Sequence, residues 1–226
     1  FEPYSLAVIG ASNNPKKFGH IILKNILDSG FRGKIFPVNP KEREILGQSC
    51  IDSPTSLKEA VDLAVLVIPA ELVPKAIAEC GQRGVRGAIV ISSGFRETGE
   101  KGIQLEKFLV SEARRYGMRI VGPNCQGINN PHHPVCAGWP LFTHKGEMAI
   151  LAQSGTVAAA FADWCSLDHL GFSALVSMGN KADVDEADLI DYFSDHQGTR
   201  GISLYVEGIS RPEKFLNALK SCRKPI

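Results

Sequence analysis

Short apolar runs alternate with longer amphipathic segments along most of the chain. Each apolar run is continuous, as in Leu63–Ala64–Val65–Leu66–Val67–Ile68, which is typical of a parallel strand covered on both faces. In the first half this pattern predicts strands at 5–9, 34–38, 63–68, 87–92 and 118–121, and helices at about 17–29, 71–83 and 101–116. Strands separated by helices indicate right-handed crossovers. We therefore predict an α/β fold with a Rossmann-type, doubly wound parallel sheet in residues 1–128.

The alternation breaks at 129–146, where Pro, His and Gly are frequent, and we interpret this stretch as an interdomain connection. A second, smaller α/β domain with a parallel sheet is then predicted for residues 147–226. Its strands are expected at 147–152, 172–177 and 201–206, and its helices at 155–168, 185–195 and 211–222. The chain begins with Phe1 and ends with the start of another strand, so we expect both ends to be cut from a longer protein and the second domain to be truncated.

Composition and charge are those of an ordinary globular protein and disfavour only a few functional classes. Hydrophobic residues at 44% and charged residues at 22% are typical of a globular protein. A formal net charge of +1 favours neither nucleic acid nor an anionic membrane surface, and no apolar run approaches the roughly 20 residues of a membrane helix. The six cysteines are scattered without a C-x-x-C pair, which predicts reduced thiols and a cytoplasmic location. The cluster of His132, His133, Cys136 and His144 lacks standard zinc spacing, so we predict no metal site.

The stretch LAVIGASNNPKKFGH at 6–20 is the first candidate site. Where a first parallel strand turns into a helix, backbone N–H groups and the positive helix end favour an anion. Gly10 permits a tight turn, and the small Ala11 and Ser12 let a phosphate approach the backbone. A plain turn with solvated lysines is the alternative interpretation.

The second strand ends in Asn39–Pro40–Lys41, without the acidic residue that holds a free ribose diol in nicotinamide enzymes. A lysine here favours a phosphorylated ribose, as in NADP or coenzyme A. The later strand ends, at 67–70, 91–95 and 121–125, offer small residues, hydroxyls and an amide but no general acid for hydride transfer. The amide-containing pantetheine arm of coenzyme A suits these strand ends. A coenzyme A-binding protein is therefore favoured, and an NADP-dependent oxidoreductase remains the alternative.

The second half contains a similar loop. Ala152–Gln153–Ser154–Gly155–Thr156 again joins a strand to a helix, and its N–H groups and hydroxyls are suited to phosphate. Simple N-capping by Ser154 is compatible with this and stabilises a helix by about 1 kcal/mol. Glu207 follows the last predicted strand and is either functional or an ordinary exposed glutamate.

Nine motifs in order resemble one known family. They are IGAS at 9–12 with Lys17 and Gly19, FPVNP at 36–40, ILG at 45–47, VIPA at 67–70, ISSGF at 91–95, GPNC at 122–125, AQSG at 152–155, MGNKADVDEADLIDYF at 178–193 and YVEG at 205–208. Together they resemble the CoA-binding domain of NDP-forming acyl-CoA synthetases and the start of the succinyl-CoA synthetase-like, flavodoxin-type domain that follows it. The resemblance covers essentially the whole chain.

The resemblance implies an ADP-forming acid–thiol ligase that joins an acid to CoA through an acyl phosphate and a phosphohistidine. It implies that Glu207 orients this histidine, and that Gln153, Ser154, Gly155 and Thr156 bind phosphate. The family's histidine lies in an S-H-T-G-type segment downstream, and none of the six histidines here has that context. The expected CoA-binding residues are Gly10, Ala11, Ser12, Lys17, Gly19, Val38, Asn39, Pro40, Lys41, Ile68, Pro69, Ser92, Ser93, Gly94, Asn124 and Cys125.

By the same resemblance, ATP or ADP and Mg²⁺ bind to an ATP-grasp domain or subunit, and the assembly is a homo- or hetero-oligomer. We expect residues 1–226 to be inactive alone. A CoA-sensing module of a protein lysine acetyltransferase and a stand-alone CoA-binding switch are the alternatives from the regulatory class. Trp139, Phe142 and Phe95 line either a bulky acyl pocket or, as we favour, interdomain packing.

Overall fold

The computed structural model describes residues 1–226 and contains two α/β units, each built on a five-stranded sheet. In the first unit the elements are β1 (Ser5–Ile9), α1 (Phe18–Asp28), β2 (Lys34–Val38), β3 (Glu44–Ile45), β4 (Gln48–Ser49), β5 (Leu63–Leu66), α2 (Val73–Gln82), β6 (Gly87–Val90), α3 (Glu100–Arg115) and β7 (Arg119–Val121). The second unit comprises β8 (Gly127–Asn130), β9 (Val135–Gly138), β10 (Lys145–Ala152), α4 (Gly155–Leu167), β11 (Phe172–Ser177), α5 (Glu186–Asp195), β12 (Gly201–Tyr205) and α6 (Pro212–Ser221).

The first sheet has the order β2-β1-β5-β6-β7, and all its strands are parallel. Successive side chains of β1 enter different cores: Leu6 and Val8 pack with α1, whereas Ala7 and Ile9 pack with α2 and α3. Helices therefore cover both faces, as the continuous apolar runs predict, and the doubly wound parallel sheet is confirmed.

The second sheet is mixed, with the order β12-β10-β11-β8-β9. Strands β12, β10 and β11 are parallel, and their bounds lie within two residues of the predicted ones. The hairpin of β8 and β9 pairs antiparallel with β11, so the sheet is not parallel throughout. Helix α4 covers one face, and α5 and α6 contribute to the core on the other. The second α/β unit is thus confirmed, with an unpredicted antiparallel extension.

The hairpin lies largely in the stretch interpreted as a connection. All eight residues of β8 and β9 are buried, and Asn130 Oδ1 accepts hydrogen bonds from the backbone N–H groups of His132 (3.0 Å) and His133 (3.1 Å), which closes the turn. Buried asparagines in a strand give a polar sequence, which explains why the apolar pattern breaks here. The division at 1–128, 129–146 and 147–226 stays a prediction.

The two units share a packed boundary. Helix α1 lies against β9, and Asn25 Nδ2 donates to Gly138 O at 2.8 Å. On the other side of the boundary, Asp183 accepts from the backbone N–H of Ile120 and from Arg119 Nε, both at 2.9 Å. These contacts leave the carboxyl-end loops of both sheets lining one cleft. No helix is long and apolar enough to cross a membrane.

Candidate functional site

Two cavities follow the carboxyl ends of the strands and meet. The smaller, about 730 Å³, lies over β1, β2 and β5, and the larger, about 1120 Å³, lies between the two units. Phe18, Val67, Ile68 and Pro69 line both cavities, so they form a neck between them. An extended ligand can therefore run from one cavity into the other.

The turn after β1 depends on two glycines in close contact. Gly10 has φ +92°, and a Cβ there would lie 2.4 Å from Val67 O. A Cβ on Gly19 would lie 1.9 Å from Gly10 O, so α1 packs directly on the turn. Gly10, Ser12 and Gly19 line the smaller cavity, whereas Ala11 is fully buried beneath it.

The N-terminus of α1 opens onto the smaller cavity without a side-chain cap. The N-cap residue is Lys17, and it lines this cavity together with Lys16. The first turn of a helix has N–H groups without partners in the helix, and its dipole favours an anion. The helix N-terminus and the two lysines thus give this end of the cavity positive character, although Asp52 and Glu79 also line the cavity, and this end is chemically suited to a diphosphate.

The end of β2 forms another wall, but its lysine points elsewhere. Val38, Asn39 and Pro40 line the smaller cavity, and Asn39 Nδ2 donates to Ala11 O at 2.7 Å. Lys41 is exposed and is not among the residues that line the cavity, and its contact with the ligand stays a prediction. Lys75 of α2 lines it instead. Lys75 was missed because its position in the first helical turn becomes relevant only once α2 is placed beside β1.

The loops that follow β5 and β6 line the larger cavity and are also hydrogen-bonded to each other. Ile68, Pro69, Ser92 and Ser93 line the larger cavity. The Ser92 hydroxyl donates to Ile68 O at 2.6 Å and accepts from Ile68 N–H at 3.2 Å, which ties the two strand ends together. Gly94 does not line either cavity. The Ser92 hydroxyl is therefore engaged by the Ile68 backbone, and its role is to hold the loop after β5 in place.

Asn124 and Cys125 reach the larger cavity from the end of β7. Asn124 is exposed, and its Nδ2 donates to Asn180 Oδ1 of the second unit at 3.3 Å. Cys125 is only 4% exposed, and burial raises the pKa of its thiol to about 12. A thiol with this pKa is protonated at neutral pH, so Cys125 is a packing residue and not a nucleophile.

The loop before α4 lines the opposite side of the larger cavity with Gln153, Ser154, Gly155 and Thr156. Ser154 is the N-cap, and its Oγ accepts from Val157 N–H at 3.4 Å. The hydroxyl is thus engaged by the cap, while the N–H groups of the first turn face the cavity as donors for an anion. A second helix N-terminus therefore lies at the far end of the joined cavities.

Glu207 stands at the same end. It is exposed in the loop after β12, lines the larger cavity, and its backbone N–H donates to Gln153 Oε1 at 2.9 Å. The structure thus brings the predicted glutamate and the predicted phosphate loop into direct contact.

Charged and polar residues to which the sequence analysis assigned no site role complete this end of the cleft. Glu97 accepts from Asn180 Nδ2 at 2.7 Å, which joins the two units across the cleft. Burial opposes ionisation of Glu97, but the hydrogen bonds from Asn180 and from the N–H groups of its own turn outweigh it and lower its pKa. Lys181 also lines the cavity, with its ammonium 2.8 Å from Glu186. The spacing of Glu97 and Asn180 in the sequence carries no signal, because their contact arises between loops of different units.

No histidine lines either cavity. His20 contacts Ser12 O from α1, and His132 and His133 contact the backbone oxygens of Gly146 and Pro3. No group of three His, Cys, Asp or Glu side chains is placed to hold a metal ion.

Of the three aromatic residues considered for an acyl pocket, Trp139 lines the larger cavity. Its ring stacks on Phe18 with centroids 4.9 Å apart. Phe142 and Phe95 are buried in the cores of the two units and line neither cavity.

The chain matches known protein families over most of its length. Residues 4–131 match the family described as a CoA binding domain, and residues 145–226 match the one described as a succinyl-CoA ligase-like flavodoxin domain. These matches confirm the resemblance that the motifs indicated.

Individual relatives are ADP-forming CoA ligases. The alpha subunit of ADP-forming acetate–CoA ligase I from Pyrococcus furiosus is 45% identical over 233 residues, covering 100% of this chain and 50% of its own length. The ADP-forming acetate–CoA ligase of Methanocaldococcus jannaschii is 45% identical over 227 residues, covering 99% of this chain and 32% of its own. Neither is an oxidoreductase or a protein acetyltransferase.

The solved structures include the dinucleotide-forming acetyl-coenzyme A synthetase 1 of Ca. Korarchaeum cryptofilum in complex with phosphate and ADP. It superposes with a TM-score of 0.96 at 39% identity, covering 100% of this chain and 49% of its own. The chain thus spans about a third to a half of the length of these relatives.

Proposed function

Because the chain belongs to the CoA-binding domain family, we propose that it is the CoA-binding part of an ADP-forming acyl-CoA synthetase. In this proposal the ADP moiety of coenzyme A occupies the smaller cavity, with its diphosphate at the N-terminus of α1. The pantetheine arm passes the neck of Phe18, Val67, Ile68 and Pro69, and the thiol reaches the larger cavity.

One observation carries the proposal: the two cavities join, and each contains a helix N-terminus. The first suits the diphosphate of a nucleotide, and the second suits a separate phosphate near the end of a long arm. A dinucleotide redox cofactor has no need for a second phosphate site at its reactive end. An enzyme that transfers an acyl group between phosphate and a thiol needs both.

The proposed reaction is acid + CoA + ATP to acyl-CoA + ADP + phosphate. ATP phosphorylates a histidine, the phosphoryl group passes to the acid, and the CoA thiol then displaces phosphate from the acyl phosphate. Dividing one difficult transfer into smaller steps is the benefit of such covalent catalysis. The α4 N-terminus stabilises the phosphate in the larger cavity, because its fixed dipole needs no reorganisation as charge arrives. Glu207 accepts a hydrogen bond from one nitrogen of the histidine and leaves the other free for phosphate.

We further propose that residues 1–226 bind CoA but do not turn over ATP alone. None of their six histidines lies in the cleft, so an incoming segment has to supply the phosphorylated residue. ATP, ADP and Mg²⁺ would then bind on an ATP-grasp domain or subunit, and the acid substrate is a small carboxylic acid. The absence of disulfides among the six cysteines is consistent with our proposal of a reducing, cytoplasmic environment.

Titration calorimetry of the purified protein with CoA, dephospho-CoA and NADP tests the binding proposal. We expect saturable CoA binding, weaker binding of dephospho-CoA because Lys16, Lys17 and Lys75 lose their interaction with the 3′-phosphate, and no NADP binding that displaces CoA. Equal affinity for CoA and dephospho-CoA would contradict the role of the lysines. Tighter binding of NADP than of CoA would contradict the function itself.

A further inference from the structure

Lys181 is a buried lysine beside the loop that carries Glu207. Its side chain is only 3% exposed, and its Nζ lies 2.8 Å from Glu186 Oε2, which is itself 1% exposed. A buried ammonium is tolerated when an opposite charge and hydrogen-bond acceptors satisfy it. Its second acceptor is the backbone oxygen of Gly208 at 2.5 Å, and the charge makes this hydrogen bond a strong one.

The contact with Gly208 matters because little else holds that loop. Residues 207–210 are all exposed, and a Cβ on Gly208 would meet nothing within 4 Å. Two hydrogen bonds from the walls of the cleft fasten the loop: Gln153 Oε1 accepts from Glu207 N–H, and Lys181 donates to Gly208 O. The two bonds hold the peptide group before Glu207 and the one after Gly208, so they flank the Glu207–Gly208 pair.

We propose that Lys181 is a positioning residue for Glu207. It acts through the backbone: by holding the Gly208 carbonyl, it directs the Glu207 carboxylate into the larger cavity. The turn that carries Lys181 has an unusual backbone conformation that brings the lysine side chain to Gly208: Gly179 and Lys181 both have positive φ, +56° and +53°. The strain of a left-handed lysine persists because the buried ion pair holds it. The catalytic meaning of this placement rests on the proposed function, whereas the placement itself does not.

A matched pair of variants of the purified protein separates the two contacts of Lys181. Glu186→Gln removes the buried negative charge but keeps the lysine and its bond to Gly208. Lys181→Met with Glu186→Gln removes the donor as well, without leaving an unpaired buried charge. Hydrogen–deuterium exchange of the peptide spanning 205–210 is measured for both, because the Glu207 N–H is protected only while the loop stays in place.

We expect the double variant to exchange at least about tenfold faster than the wild type at Glu207. Glu186→Gln should exchange at an intermediate rate, because its lysine keeps the bond to Gly208 but loses the ion pair that holds it. In the ligase assay of the longer enzyme, which includes its ATP-grasp domain or subunit, kcat of the double variant falls at least about tenfold below that of the wild type, while KM for CoA changes less than twofold. Adding Glu207→Gln to the double variant lowers kcat little further, because the glutamate is already misplaced.

Unchanged exchange in the double variant overturns the proposal. If the double variant does not fold, Lys181→Gln with Glu186→Gln replaces it, since the glutamine amide ends about one bond short of the position of Nζ and does not reach Gly208 O, and unchanged exchange there overturns the proposal too. If the longer wild-type enzyme, with its ATP-grasp domain or subunit, lacks ligase activity, the proposed function is contradicted, yet faster exchange in the double variant would still support Lys181 as the residue that positions Glu207.

Discussion

The contact between Gly19 and Gly10 gives the most direct structural test of the anion site. In Gly19→Ala the new Cβ would lie 1.9 Å from Gly10 O and 2.8 Å from Gly10 C, both backbone atoms that cannot rotate away. To restore a separation of about 3.0 Å the first turn of α1 has to retreat by about 1.1 Å. The helix N-terminus then no longer faces a diphosphate at hydrogen-bond distance.

The expected cost in stability is moderate. Overpacking a well-packed site destabilises by roughly 1–3 kcal/mol, and alanine regains about 1 kcal/mol of helix propensity over glycine. Because the clash is with a backbone atom, the upper end of this range applies, and the net loss of about 2 kcal/mol lowers Tm by roughly 4–8 °C in a protein of this size. The loss in ligand affinity is separate, since each hydrogen bond to a charged group contributes about 1.5–3 kcal/mol. Losing one such bond weakens CoA binding at least about tenfold.

Gly102→Ala is the matched control. Gly102 also lies in the first turn of a helix, and its Cβ would meet Phe95 O at 1.8 Å, a clash as severe as that at Gly19. Gly102 lines neither cavity. Thermal unfolding and CoA calorimetry on both variants should show similar losses of Tm but a tenfold loss of affinity only in Gly19→Ala. Equal CoA affinity in the two variants would refute the assignment of the diphosphate to α1.

Three further predictions follow from individual side chains. Lys75 is 80% exposed, so solvent screens its charge, and Lys75→Ala should weaken CoA binding only about threefold and dephospho-CoA binding not at all, as calorimetry checks. The pKa of Glu97 is lower in the folded protein than its ordinary value of 4.5. The ionised carboxylate therefore stabilises the fold fully above pH 4.5, and this stabilisation is lost as the pH falls through the folded-state pKa. Glu97→Gln should therefore flatten the fall of Tm with pH below about 4.5, and an unchanged acid limb would contradict the hydrogen bond with Asn180. Since burial raises the pKa of Cys125 to about 12, iodoacetamide at pH 8 should label this thiol only after unfolding, and mass spectrometry of the native protein would reveal any earlier labelling.

Hydrophobic pattern was sufficient to predict most of the fold. Strands such as Leu63–Leu66 are buried on both faces, so nearly all of their residues are apolar and the strand is recognised as a continuous apolar run. The hairpin of β8 and β9 was not predictable in the same way. Asn129 and Asn130 are buried there, and Asn130 depends on a partner remote in the sequence, since its Nδ2 donates to Phe1 O.

The residues of the candidate site also fall into those that the sequence pattern predicts and those that depend on contacts remote in the sequence. Residues of strand-to-helix turns, such as Gly10 and Ser154, line the cavities because a parallel sheet collects these turns at one edge. Lys41 follows a strand in the sequence but lies outside the cavity, whereas Lys75 lies at the start of a helix and within it. Asn180 contacts Glu97 of the other unit, and Lys181 contacts Gly208 of a distant loop in its own unit, and no local pattern encodes either contact.

The central claim is that one CoA molecule spans the two joined cavities, and a crystal structure of the protein soaked with CoA tests it most directly. The account predicts the diphosphate at the first turn of α1 and the sulfur in the larger cavity, on the side of Gly155 and Glu207. A CoA molecule bound elsewhere, or one whose sulfur points out into solvent from the smaller cavity, would contradict it.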